Sequence, residues 1–231
     1  MTILTRAAYL LLVLSLPAAL VLAPMYLFIT PGFIRHEYGL SGFPRSVRFD
    51  DAERIEISDA ILHYVRGRIT REQLAAVETA EGEPALNGRE VDHLVDVRVV
   101  MDRLFIVQGL ATLAALGAAA FLAFSGRFYG LAAGLRHGVV LTGGLIVAVV
   151  GFSLLDFNAF FTAFHNLFFP PGTWTFEFTD TLIQLYPLPL WMDAVWKIGV
   201  VVALLLAAVY ALGVWLGKHI VPAPVEPGVG S

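Results

Sequence analysis

Four stretches of this chain are so long and so poor in charge that they dictate the solvent it folds in. Residues 7–29, 104–124, 139–155 and 194–217 are nearly continuous runs of Leu, Val, Ala, Phe and Ile. A helix rising about 1.5 Å per residue needs ~20 such residues to cross a hydrocarbon core of ~30 Å. The 23 residues from Ala7 to Ile29 suffice alone. Residues 139–155 are barely long enough and are expected to be extended by 156–161. Composition agrees: 58% of residues are hydrophobic and only 15% charged, too apolar for a soluble domain. The expected fold class is a mainly α membrane protein: four transmembrane helices with an extracytoplasmic cap of helices and possible short strands.

The charges are segregated. Between Pro31 and Arg103 lie 14 acids and 10 arginines, so the net charge of −4 says little by itself. There is no basic run of the kind that binds nucleic acid. Cysteine is absent, which excludes disulfides, thiolate metal sites and a cysteine acyl-enzyme. Arg6 ahead of the first apolar run resembles the start of a signal peptide. The run is too long for one, however, and Pro24 after Ala23 disfavours cleavage. A retained first span, kinked at Pro17 and Pro24, is expected.

Four spans put both termini on one side. Arg6, Arg127, Arg136 and Lys218 fall on that side in short segments, so the positive-inside rule makes it cytoplasmic. The expected division is 1–30 as N-terminal segment and first span, 31–103 as extracytoplasmic cap, and 104–155 as second and third spans with a cytoplasmic loop at 125–138. Residues 156–193 form an outer aromatic segment, 194–217 the fourth span and 218–231 a cytoplasmic tail, expected to be disordered from Val221.

Within the cap, Asp50-Asp-Ala-Glu53 reads as a capping box ahead of a helix with Ile57, Ala60, Ile61, Tyr64 and Val65 on one face and a stop at Gly67. Thr70-Arg-Glu-Gln73 is a second capping box, opening a short helix. Asn87-Gly-Arg-Glu90 is a third, opening a helix that can run straight into the second span. Residues 33–49, rich in Gly and Pro, read as irregular with a short strand at 46–49. At 173–179, Trp174, Phe176 and Phe178 alternate with polar residues, a short strand pattern. A helical turn follows at 180–186, broken by Pro187 and Pro189.

Two stretches carry candidate chemistry. Phe157, Phe160, Phe161, Phe164 and Phe168 recur at helical spacing as one aromatic stripe, with His165 beside it, ahead of Pro170-Pro-Gly172 and Trp174. This is either an interfacial aromatic belt with an incidental histidine or an aromatic pocket around a titratable imidazole. Upstream, Glu90, His93 and Asp96 share one side of a helix, where a carboxylate can orient an imidazole. The alternative is a solvated charged face. His93 and His165 fall on the same expected side of the membrane. His36, His63, His137 and His219 are expected to be structural or exposed.

Glu90-Val-Asp-His-Leu-Val-Asp-Val-Arg98 resembles an E-x-x-H-M-x-D-V-K/R motif, with Leu94 in the methionine position. Phe164-His-Asn-Leu-Phe-Phe169 with Trp174, then Leu182-Ile183 through Trp191-Met-Asp193, resembles a second motif of the same family, the bacterial lipoprotein intramolecular transacylases. The likeness covers nearly the whole chain. It implies a diacylated bacterial lipoprotein as substrate, within membrane lipid, whose sn-2 acyl chain moves to its own N-terminal amine. Both reacting groups then lie on one substrate and no enzyme nucleophile is needed, which suits a chain with no cysteine and no G-x-S-x-G motif. The expected catalytic pair is His93 and His165, supported by Glu90, Asp96, Arg98 and Asp156. Tyr38, Tyr64, Phe160, Phe161, Phe164, Phe168 and Trp174 are expected to line the pocket. No metal or cofactor is expected. The competing readings are a metal-dependent membrane hydrolase using His93 and His165 as ligands, and a non-catalytic lipoprotein-binding scaffold.

Overall fold

A computed structural model describes residues 2–220, the side chains at 157 and 158 excepted; the expected tail from Val221 lies outside the described residues. The described chain forms α1 (Ile3–Leu22), α2 (Met25–Phe28), α3 (Pro31–Tyr38), α4 (Asp51–Val65), α5 (Arg71–Ala75), α6 (Gly88–Phe124), α7 (Phe128–Leu155), α8 (Phe157–Phe168), α9 (Thr181–Leu185) and α10 (Leu188–His219). Four helical segments, Ile3–Phe28, Gly88–Phe124, Phe128–Leu155 and Leu188–His219, are long and apolar enough to cross a membrane.

The chain divides into two compact units. Of the described residues, the first takes in 2–23, 107–149 and 202–220. Its core is Leu12 and Leu16 of α1, Ala115, Ala118 and Leu122 of α6, Leu131, Ala132 and Leu135 of α7, and Leu216 of α10. Small residues set the spacing. A Cβ at Gly138 would lie 2.3 Å from a Leu16 methyl carbon, and one at Gly134 2.9 Å from a Leu12 methyl carbon. This is the close backbone approach that small-x-x-x-small pairs permit between lipid-embedded helices. A loop is expected at 125–138, yet residues from Phe128 onward are helical in α7, where Gly134 and Gly138 lie against α1. The turn is only 125–127, where Gly126 takes φ +67° and the Arg127 amide bonds the Leu122 carbonyl at 2.8 Å. The third span is therefore extended at its N-terminal end, and Asp156 ends it at the other.

The second unit comprises residues 24–106 and 150–201. The capping signals read from the sequence correspond to helix starts. Asp50 accepts from the Glu53 amide at 2.8 Å, and Thr70 and Gln73 form a reciprocal capping box. Gly67 stops α4 at φ +71°. Residues 33–38, expected to be irregular, are helical: Thr30 caps α3 and Pro31 stands at its first position, where a missing N–H does no harm. Pro189 likewise sits in the first turn of α10 rather than preceding it. Pro17 is inside α1, while the break falls at Ala23–Pro24.

No strand occurs among the described residues, where Glu78 and Pro84 form an isolated bridge. The segments at 46–49 and 173–179, expected as short strands, form none: the chain bends at residues 47 and 48 and at 173 and 174, and turns at 178 and 179. Their hydrogen bonds go to side chains instead, as with the Val47 amide on Gln184 Oε1 at 2.8 Å. The core of this unit joins Ile57, Ile61, Tyr64 and Val65 of α4 to Leu74, Val91, Leu94 and Met101, and to Leu182 and Leu185 of α9.

Helix α6 is unbroken over 37 residues, about 55 Å at 1.5 Å per residue, well beyond a ~30 Å hydrocarbon core. Its charges, Arg89 to Arg103, all precede Leu104. The apolar part, 104–124, is long enough by itself to cross that core.

Candidate active site

Helix α8 begins where Asp156 accepts from the Ala159 amide at 2.9 Å. It ends as the Phe169 amide donates to the His165 carbonyl at 2.8 Å. The chain then turns through Pro170, Pro171 and Gly172, the last at φ +84°, so Trp174 returns over the helix. Its indole lies 4.6 Å from the His165 ring and 5.9 Å, edge-on, from Phe161. His165 is further enclosed by Phe161 at 4.0 Å and Phe164 at 5.4 Å. Its Nδ1 is 2.8 Å from the Phe161 carbonyl oxygen. An oxygen there only accepts, so Nδ1 carries a proton, and in the neutral form of the ring the lone pair is on Nε2.

Segment 173–186 is tied to the N-terminal end of α6. Arg89 donates to the Thr175 carbonyl at 2.6 Å and lies over the Phe176 ring. Asp180 accepts from Asn87 Nδ2 at 3.1 Å and from the Glu177 amide at 2.7 Å. Glu90 is almost fully buried. One of its oxygens accepts from the Asn87 amide and the other from the Leu182 amide, each at 2.8 Å, while the Glu90 amide donates to Asn87 Oδ1 at 3.1 Å. The third expected capping box is therefore present, and its carboxylate also holds α9. Burial raises the Glu90 carboxyl and the two amides oppose that shift.

These ties bring Phe176 to 5.2 Å from the His93 ring. Phe169 touches both imidazoles, 5.0 Å from His93 and 5.9 Å from His165. The imidazole centroids thus lie within about 11 Å of each other, the sum of those two distances. Burial pushes His93 down to about 4, with Asp96 opposing and His165 reinforcing the shift. His93 is therefore neutral at ordinary pH. Its Nδ1 is buried without a partner, as is Trp174 Nε1.

Of the residues singled out from sequence, His93, His165, Phe161, Phe164 and Trp174 share this pocket. Asp96 acts on His93 electrostatically. Phe160 and Phe168 extend the ring array through Phe164. The others are engaged elsewhere. Asp156 caps α8. The Tyr38 hydroxyl pairs with Ser58 at 2.9 Å and donates to the Leu185 carbonyl at 2.8 Å. Tyr64 is in the core under the Arg98 guanidinium, and Arg98 also donates to the Ile69 carbonyl at 3.4 Å. Sequence reasoning missed Phe169, Phe176 and Arg89. Phe176 sat in the Trp174 alternation and Phe169 directly before the proline pair, but nothing local indicated that one ring would meet both histidines. Among the described residues no three His, Asp or Glu side chains gather as a metal ion requires.

A fold with four helices long and apolar enough to cross a membrane, and two imidazoles among aromatic rings, defines a class: an integral membrane protein. Residues 9–191 match the family described as lipoprotein intramolecular transacylase Lit. The chain belongs to that family, and is an acyltransferase acting as a lipoprotein intramolecular transacylase. A relative from Aquifex aeolicus, described as an uncharacterized protein, is 27% identical over 163 residues, 70% of this chain and 72% of its own. The in meso structure of the membrane-integral lipoprotein intramolecular transacylase Lit from Bacillus cereus has the same fold, with a TM-score of 0.76 at 19% identity over 93% of this chain and 96% of that one. A histidine-to-alanine variant of that protein superposes with a TM-score of 0.75 at 18% identity, over 93% and 94% of the two chains.

Proposed function

We propose that this chain moves the sn-2 acyl chain of a diacylglyceryl-cysteine lipoprotein to the N-terminal amine of the same molecule, leaving a lyso-form lipoprotein, with His93 and His165 as the acid/base pair. The observation that carries this reading is the pair of imidazoles meeting on the Phe169 ring.

The substrate's α-amine has a pKa of roughly 7.7–8.0 and is mostly protonated at neutral pH. It loses one proton to solvent before it attacks the ester carbonyl, and the nitrogen sheds a second as the C–N bond forms. His165, its Nδ1–H held by the Phe161 carbonyl, offers Nε2 to take that second proton. The departing glyceryl oxygen then needs a proton, which the neutral His93 supplies. Return of a proton from His165 to His93 resets the pair. Asp96 opposes the downward shift of His93, and Asp156 and Glu90 serve as caps that hold the two histidine-bearing helices in place. Confinement by Phe161, Phe164, Phe169 and Trp174 holds amine and carbonyl together and keeps out water that would hydrolyse the ester.

The exposed side of α8, with Phe161, Phe164 and Leu167, follows directly on the exposed Leu154 and Leu155. A helix with such a face lies in the lipid interface, so the acyl chains reach the histidines without leaving the bilayer. Arg6, Arg127, Arg136 and Lys218 support cytoplasmic termini and an outward-facing site.

The test is intact-mass and tandem mass spectrometry of a synthetic diacyl lipopeptide incubated with the purified protein. The expected product has unchanged mass and one fatty acid moved from glyceryl ester to N-terminal amide. A product lighter by one acyl chain would mean hydrolysis instead.

A further inference from the structure

We infer that Trp174 is a catalytic residue of this reaction, its indole N–H being the donor that receives the oxyanion of the tetrahedral intermediate. This rests on the acyl-transfer reading above. In that reaction the amine nitrogen bonds to the ester carbonyl carbon, and the carbonyl π pair moves onto oxygen. Collapse restores the C=O bond and breaks the bond to the glyceryl oxygen, which takes up a proton as the amine gives one up. Between these events a full negative charge sits on the former carbonyl oxygen. A fixed donor aimed at that charge acts only in the transition state and intermediate, which is where stabilisation accelerates the step.

The donors around His165 are few. Its enclosing rings Phe161, Phe164 and Phe169 carry none, and Pro170 and Pro171 have no N–H. The His165 Nδ1–H is engaged by the Phe161 carbonyl. The amides of Phe169, Thr173 and Glu177 already donate to the His165 carbonyl, the Pro170 carbonyl and the Asp180 carboxylate. Trp174 Nε1 is different: it is buried and bonds to nothing. An indole nitrogen is a donor only and stays protonated throughout the working pH range. It therefore cannot serve as the acid or base, nor rotate to become an acceptor. The ring is pinned from two sides, tilted 33° on His165 and 70° against Phe161, and the following residue is anchored by Arg89 on the Thr175 carbonyl. A buried donor left open on a pinned ring, 4.6 Å from the imidazole that activates the nucleophile, has the preorganisation an oxyanion site needs.

The experiment compares wild type, Trp174→Phe and a protein carrying 3-benzothienylalanine at position 174, which keeps the two-ring shape and replaces N–H by sulfur. Transfer on the synthetic diacyl lipopeptide is followed across pH 5–9. Both variants are expected to lose about 10²-fold in kcat, the usual effect of deleting one oxyanion donor. KM should change little and the pH profile keep its shape, since an indole does not titrate. The benzothienyl protein transferring at the wild-type rate would overturn the assignment, because packing alone would then explain the tryptophan. A displaced pH limb would also overturn it, by showing that the ring acts through His165. If wild type itself gives no isomeric product, the acyl-transfer reading fails and this inference falls with it. A product from wild type with unimpaired variants removes only the role of Trp174.

Discussion

The two units solve burial in opposite ways. In the first, helices meet through small residues, and its buried polar groups find partners close by. Thr142 donates to the Gly138 carbonyl at 2.7 Å, and Ser15 to the Leu11 carbonyl at 2.6 Å. In the second, Glu37, Arg54, Asp59, His93, Trp174 and Tyr186 each keep at least one buried polar atom without a partner, and among the described residues every such atom belongs to this unit. An unpaired buried donor or acceptor costs about 1–3 kcal/mol. The first unit is therefore organised for stability. The second accepts local destabilisation and compensates with an apolar core and a network of backbone ties. Two of its open atoms, on His93 and Trp174, are in the aromatic pocket, as expected where polar groups are kept ready for a substrate.

If the ties hold the second unit together, removing the most connected one should have the largest effect. Glu90→Ala leaves the Leu182 amide buried and unpaired and removes the α6 capping box. A loss of about 3 kcal/mol is expected, from a charge-assisted hydrogen bond and a cap together. Activity should fall with it, as 173–186 loses its anchor. Thermal unfolding in detergent and the transfer assay check both.

The matching break in the first unit is Gly138→Val, which pushes a side chain into Leu16. Overpacking of this kind costs about 1–3 kcal/mol. The melting temperature should drop while the protein that remains folded keeps its transfer rate, since no histidine is disturbed. Equal loss of specific activity would show that the units do not divide the work this way.

A smaller effect sharpens the contrast through pH. The folded pKa of His93 lies below its unfolded value near 6.5, at about 4. Between those values the unfolded chain binds a proton that the folded chain refuses. Its stability contribution is complete above pH 6.5 and is lost as pH falls toward 4, by no more than about 1.4 kcal/mol per pH unit. His93→Gln should flatten that part of the melting-temperature profile. The smallest effect is the control Gly143→Ala. A Cβ there meets nothing within 4 Å, so stability should hold or rise by up to about 1 kcal/mol from the better helix propensity.

Local signals in the sequence were legible wherever the physics is local. Helix caps at Asp50, Thr70 and Asn87, the stop at Gly67 and the apolar runs all corresponded to elements, because each needs only neighbours along the chain. Misreadings arose where distant packing overrode local preference. The loop expected at 125–138 is mostly helix because Gly134 and Gly138 pack against α1. The alternation at 173–179 looked like a strand, but among the described residues no strand pairs with it, and Arg89 of α6 holds the Thr175 carbonyl instead. The site was legible to the same extent. His93 and His165 stood out by their surroundings in sequence. Glu90 also stood out, and its capping box implies the bond to the Asn87 amide, but nothing local indicated the Leu182 amide as its second partner. Phe169 as the ring between the histidines is a tertiary fact with no local signature.

The central claim is that His93 and His165 act on one reaction across the Phe169 ring. The most direct measurement is a double-mutant cycle on single-turnover transfer, comparing wild type, His93→Ala, His165→Ala and the double variant, each shown to be folded by thermal unfolding. The account predicts a loss of about 10²-fold or more for each single variant, the usual reach of a positioned acid or base, with the double variant little worse than the poorer single because the two act as a unit. Losses that multiply in the double variant, or transfer at the wild-type rate in either single one, would contradict it.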